Sequence, residues 1–200
     1  MSDRKNILLI ATGGTIASKK SDNGLKPQIS PEELMQYIPQ VKDICDFHAV
    51  QLLNLDSTNM EPSHWKLMVH AIWEHYDDFD GFVIAHGTDT LAYTASLLAL
   101  ALSKVEIPVF LVSSQLPLNQ EGANGNENFR RSVELICAGI HSGVYVVYRN
   151  EDGRCFLHHG GHLVSSGDYS NDFYSRDAVC LGEVSKVMEG ECSRAAMHLN

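Results

Sequence analysis

The sequence predicts an α/β domain built as three layers around a doubly wound, mostly parallel sheet in flavodoxin-like order, with a β-hairpin after the fifth strand. Three observations carry this. Five short runs are almost continuously apolar, as strands buried on both faces must be. Amphipathic segments with helical spacing lie between them, and such alternation implies βαβ crossovers. Two of the runs end abruptly in glycine and threonine, at the sheet edge where open α/β folds bind ligands.

In chain order, Ile7 to Ala11 reads as the first strand, followed by a polar loop, Ser18-Lys19-Lys20-Ser21-Asp22-Asn23-Gly24, long enough to be mobile. Ser30-Pro31-Glu32-Glu33 has the form of a helix start, with serine as cap, proline at the first position and a glutamate closing the box. Phe47 to Leu53 is the second strand. After the polar turn Asp56-Ser57-Thr58-Asn59-Met60, the residues Trp65, Met68, Val69, Ile72, Trp73 and Tyr76 recur at helical spacing and form a core-facing stripe. Phe82 to Ala85 is the third strand and Leu91 to Leu102 a strongly apolar helix. Val109 to Val112 is the fourth strand, and Phe129, Val133, Ile136, Cys137 and Ile140 mark the next helix, with Cys137 in the core. Val144 to Tyr148 is the fifth strand, and Asp152-Gly153 turns the chain into Cys155-Phe156-Leu157. From Gly160 onward the pattern fades, with one strand expected near Ala178 to Leu181.

The 200 residues suit one domain, residues 1–200, and 44% are hydrophobic, ordinary for a globular protein. A formal net charge of -10 disfavours nucleic-acid phosphates as partners. No apolar stretch has the length of a membrane span, and none has the form of a secretory leader. The five cysteines, Cys45, Cys137, Cys155, Cys180 and Cys192, are odd in number and show no C-x-x-C pair, which fits a reducing cytoplasm.

The two loop strings are Ala11-Thr12-Gly13-Gly14-Thr15 and His86-Gly87-Thr88-Asp89-Thr90. A threonine hydroxyl beside glycine is a candidate nucleophile, because glycine admits a substrate close to the backbone. The first string lacks the lysine of a phosphate loop and the third glycine of a dinucleotide fingerprint, which disfavours nucleotide binding. Asp89 has two readings: a cap for the helix from Leu91, or a carboxylate that grips a substrate ammonium.

Taken together, these strings resemble the bacterial-type L-asparaginases, in particular the cytoplasmic type I group. The matching stretches are Ala11 to Ala17, Asp56 to Met60, Tyr76 to Ser96 and Ser113-Ser114-Gln115-Leu116-Pro117-Leu118, and the likeness runs from about Asn6 to about Tyr148. The resemblance implies hydrolysis of L-asparagine to L-aspartate and ammonia, with no cofactor and no metal. It implies Thr15 as nucleophile and Thr88 as the partner hydroxyl. Asp89 would bind the substrate α-amine, with Asp56 and Ser57 holding its polar ends. Gly14, Thr58, Gly87 and Ser114 complete the implied pocket, and a backbone N–H near Thr88 would serve the oxyanion. A homo-oligomer, dimer or tetramer, is also implied.

The chain departs from the family pattern in three places. Leu25 falls where a loop tyrosine is expected. Val164 falls near the place where a lysine should activate the threonines and no lysine lies there, leaving His159, His162 or the loop lysines Lys19, Lys20 and Lys26 as substitutes. The family's smaller C-terminal domain is expected to be absent, as the sequence stops at Asn200. The spacing of His158 and His162, with Asp168 or Asp172, raises a metal reading, which the intervening glycines disfavour. The alternative to an enzyme is a module that binds asparagine or aspartate without turning it over.

Overall fold

The computed structural model describes residues 4–14, 18–21, 24–27, 33, 35–165, 170–176 and 180–189, with the backbone alone for 18–21, 24–27 and 180. The five expected strands are all present: β1 (Asn6–Gly13), β4 (Asp46–Leu55), β5 (Gly81–Ala85), β6 (Pro108–Val112) and β7 (Gly143–Arg149). They pair in parallel in the order β4-β1-β5-β6-β7, which is the flavodoxin-like order. The hairpin partner β8 (Cys155–His159) runs antiparallel to β7, and β11 (Cys180–Glu183) runs antiparallel to β8 at the far edge. Ala178 and Val179, expected to open that last strand, lie outside the described residues.

Side-chain alternation in the central strands splits the core into two faces. Ile7, Leu9, Val83, Ala85, Phe110, Val112, Tyr145 and Val147 point one way. They pack under the short helix α1 (Val41–Ile44) and under Phe129, Val133 and Ile136 of α4 (Gly125–Cys137). Leu8, Ile10, Phe82, Ile84, Val109, Leu111, Val144 and Val146 point the other way. They meet Met68 and Ile72 of α2 (Pro62–Glu74) and Leu91, Ala95 and Leu98 of α3 (Leu91–Ala101). Because both faces are covered, every residue of β5 and β6 is buried, and this is why those strands read as unbroken apolar runs.

The fold differs from the reading of the sequence in four details. The polar stretch after β1 is an antiparallel hairpin, β2 (Ser18–Ser21) with β3 (Gly24–Pro27), and Leu25 pairs with Lys20 in it. Within the α2 stripe, Trp73 is 45% exposed, so the core-facing surface is narrower than its spacing implied. Cys137 is only half-buried, at the end of α4 against α1. A two-stranded ribbon, β9 (Leu163–Val164) with β10 (Tyr174–Ser175), occupies part of the segment where the pattern faded. The helix expected to start at Ser30 falls almost wholly outside the described residues.

Candidate active site

The site forms where the carboxyl ends of β1, β4 and β5 meet. Gly13 and Gly14 have φ of +106° and +79°, a backbone region that side chains disfavour. This turn brings Gly14 N–H to Leu55 O at 3.1 Å and lays the residue flat against the β5 loop. A Cβ on Gly14 would lie 2.4 Å from the Gly87 nitrogen and 2.5 Å from its Cα. A Cβ on Gly87 would in turn lie 2.3 Å from Ser57 Oγ. Gly14, Ser57 and Gly87, distant in sequence, therefore meet in one close-packed junction, and the candidate crevice is the outer edge of that junction. Buried Thr12 ties the same edge together by donating its hydroxyl to Ala85 O at 2.7 Å.

Polar groups cluster on the rim of the crevice. Ser57, buried, donates to the exposed Asp89 carboxylate at 3.3 Å. Thr90 flanks the N-terminus of α3, but its hydroxyl goes to Ser57 O at 3.0 Å. Among the described residues Asp89 takes Ser57 and caps no helix amide, so the capping reading of this carboxylate gives way to the rim reading. Asp56 accepts the Thr58 N–H and hydroxyl at 3.0 and 2.9 Å, which closes the short helical turn Ser57–Asn59. Thr88 is half-buried between Gly87 and Asp89. Thr15 lies outside the described residues, one step beyond Gly14. Ser114, fully buried, uses its hydroxyl to accept Gly125 N–H at 3.1 Å and to donate to Leu116 O, closing the turn before α4.

Val164 sits in β9 opposite Tyr174 and is 42% exposed. Of the histidines offered as substitutes for the missing lysine, His159 closes β8. It pairs with Tyr145, and strand register carries Tyr145 to Phe110 and Phe110 to Val83. It is thus three strands from β5, about 14 Å across the sheet at ordinary strand spacing, and below the level of Gly87. His158 bonds Ser175 Oγ at 2.8 Å, and burial holds its ring neutral, with a pKa pushed down to about 4. His159 accepts Gly161 N–H at 3.2 Å and is likewise lowered, by burial and then by neighbouring His162. Among the described residues no group of three or more His, Cys, Asp or Glu side chains is placed to hold a metal. No described helix is long and apolar enough to cross a membrane.

The sequence reading missed the residues directly behind the crevice. His86 is completely buried, its Nδ1 2.7 Å from Gly87 O and its Nε2 3.0 Å from Thr94 Oγ1. Trp65 Nε1 donates to the same Thr94 oxygen at 2.9 Å. The available signal was a histidine directly following four buried strand residues, and a threonine inside an otherwise apolar helix.

Comparison with known proteins agrees with this geometry. The family model described as asparaginase, N-terminal, matches residues 6–192. An L-asparaginase of Thermococcus kodakarensis is 36% identical over 146 residues, covering 72% of this chain and 44% of its own length. One component of the glutamyl-tRNA(Gln) amidotransferase of Methanococcus maripaludis is 35% identical over 161 residues, covering 78% of this chain and 38% of its own. Among solved structures, the thermostable L-asparaginase from Thermococcus kodakarensis superposes with a TM-score of 0.76 at 30% identity, over 89% of this chain and 53% of that one. A probable cytoplasmic L-asparaginase from Campylobacter jejuni gives 0.75 at 30% identity, over 90% and 54%. The chain spans about half the length of these proteins, or less. With its paired glycine–threonine turns at the rim of a flavodoxin-like sheet, and a family model matched along nearly its whole length, the chain belongs to the asparaginase family, in its N-terminal domain.

Proposed function

We propose that the crevice binds a zwitterionic amino-acid amide and hydrolyses its side chain, converting L-asparagine to L-aspartate and ammonia in the cytoplasm. The observation that carries this reading is the junction of Gly14, Ser57 and Gly87 with the Asp89 carboxylate on its rim. A carboxylate beside a hydroxyl suits an ammonium group, and the glycines let the two turns close on each other so that Ser57 and Asp89 share one rim. In this reading Asp89 holds the α-ammonium, Ser57 and Asp56 with Thr58 frame the substrate's polar end, and Thr15 attacks the amide carbonyl. Ammonia leaves as the acyl-enzyme forms, and a water oriented by Thr88 releases aspartate. The amidotransferase components among the relatives favour amide chemistry at this crevice. In the same reading the protein assembles as a homo-oligomer.

One observation favours a second reading. Val164, which falls near the place where the resemblance expects the family lysine, has no titratable group, and a threonine hydroxyl without a base is a poor nucleophile. On that reading the chain binds aspartate or asparagine without turnover. Ammonia release from asparagine, measured beside aspartate calorimetry, separates the two. Turnover abolished by Thr15→Ala and by Thr88→Ala supports the enzyme, and aspartate binding without ammonia supports the module. Absence of both refutes the crevice as an amino-acid site.

A further inference from the structure

We propose that His86 is a positioning residue, the middle of a chain Trp65–Thr94–His86 that fixes the Gly87–Thr88 peptide from behind the crevice. The inference rests on the reading of Thr88 as a working hydroxyl. The direction of every bond in the chain follows from donor and acceptor chemistry. Gly87 O only accepts, so the His86 Nδ1 at 2.7 Å carries a hydrogen and donates it. The ring is completely buried, and burial lowers its pKa to about 4, against smaller opposing effects of Gly87 O and the nearby Asp89 carboxylate. It is therefore neutral, Nε2 is bare, and Thr94 at 3.0 Å donates to it. The indole N–H of Trp65 only donates, and it fills a lone pair on the same Thr94 oxygen at 2.9 Å. Each polar atom in the chain has a partner of the right sense.

The consequence reaches the site through one peptide plane. The peptide bonds are trans, so C=O and the following N–H point in opposite directions. Pinning Gly87 O toward His86 turns the Thr88 N–H away from the interior. Gly14 and Ser57 pack against Gly87 and block it from rotating about its own bonds. A histidine suits this place because it donates on one side and accepts on the other within a rigid ring, joining α2 and α3 to the β5 loop.

The test uses the intact protein labelled with ¹⁵N. The His86 ring is expected as the Nδ1–H tautomer, uncharged down to pH 5. An Nε2–H tautomer, or titration near the ordinary value for histidine, overturns the proposal. Three variants then separate positioning from bulk. Asn places a side-chain N–H near the Nδ1 position, whereas Gln places one near Nε2. His86→Asn should keep the Thr88 amide resonance close to its native position, while His86→Gln and Thr94→Val should shift it. With asparagine as substrate, kcat should fall about tenfold in His86→Gln, with KM within about threefold, and recover in His86→Asn. Equal losses in Asn and Gln, or a loss carried by KM, overturn the proposal. A wild-type protein that releases no ammonia defeats the hydrolase reading, yet the tautomer and the Thr88 resonance still decide this one.

Discussion

Replacing Gly14 with alanine should damage the crevice in a way that can be separated from general unfolding. Gly14 adopts φ +79°, and a side chain in the left-handed region costs roughly 1–2 kcal/mol. The new Cβ would meet Gly87 N at 2.4 Å, Gly87 Cα at 2.5 Å and His86 C at 2.8 Å. All three are backbone atoms without a rotamer to change, and overpacking of this kind costs about 1–3 kcal/mol. The sum is about 2–5 kcal/mol, or a fall in Tm of very roughly 4–20 °C for a chain of this size. Gly87→Ala provides the contrast. Its Cβ would sit 2.3 Å from Ser57 Oγ and 2.6 Å from Ser57 Cβ; the hydroxyl can swing aside but the Cβ moves only with its backbone, so overpacking should cost about 1–3 kcal/mol, without the left-handed strain that Gly14 adds. It should nevertheless break the Ser57–Asp89 contact and weaken aspartate binding. Urea denaturation followed through the two tryptophans, with aspartate calorimetry on both variants, makes the measurement. If Gly14→Ala unfolds within about 0.5 kcal/mol of wild type and binds aspartate normally, the two turns do not pack as described.

Asp89→Asn should weaken aspartate binding at pH 7 by about 10- to 100-fold, the worth of a charge-assisted contact, with little change in Tm because Asp89 is exposed; unchanged calorimetry would remove the ammonium role. His86 and His158 have folded pKa values of about 4, below the ordinary 6.5, so the unfolded chain binds protons first as pH falls. The neutral rings therefore contribute stability that is whole above pH 6.5 and is lost as pH falls toward 4, at most about 3 kcal/mol per ring. Urea midpoints between pH 7.5 and 4.5 should trace this loss, and a flat profile contradicts the burial of both rings. Val164→Lys, at a half-exposed position where a charge costs little, should raise asparagine hydrolysis at least about tenfold while leaving aspartate affinity within about threefold; no gain in ammonia release would show that this ribbon position does not face the threonines.

What the sequence revealed and concealed follows from burial. β5 and β6 are covered on both faces, so Gly81–Ala85 and Pro108–Val112 stand out as apolar runs and fix the strand order through short right-handed crossovers. The hairpin Ser18–Ser21 with Gly24–Pro27 shows no apolar alternation, because its pairing is carried by backbone bonds that no side chain reports. The exposure of Trp73 was equally hidden, since helical spacing marks a face but not how wide the opposing sheet is. At the site, Thr88 and Asp89 could be named from the string that holds them. The contact of Gly14 with Gly87 could not, because it joins backbone atoms seventy-three positions apart (87 against 14) and depends on two strands being neighbours. His86 escaped notice for a related reason. A buried histidine declares itself only when its partners are known, and Thr94 and Trp65 lie on two other helices.

On the proposed function, the two halves of the site are physically independent, so one can be kept while the other differs. The crevice is built from residues 13–94, held by close backbone packing at Gly14 and Gly87 and by hydrogen bonds from Thr12, Thr90 and His86. The departure at Val164 lies in the ribbon beyond β8, and none of those contacts runs through it. On that reading a change of side chain there alters the catalytic group without loosening the clamp, just as substitutions at distant sites with no shared partners act independently. On the proposed function, binding and turnover are thus separable. The clamp answers to the geometry of three glycine- and serine-lined turns, and the chemistry answers to whichever group approaches Thr88 from outside them.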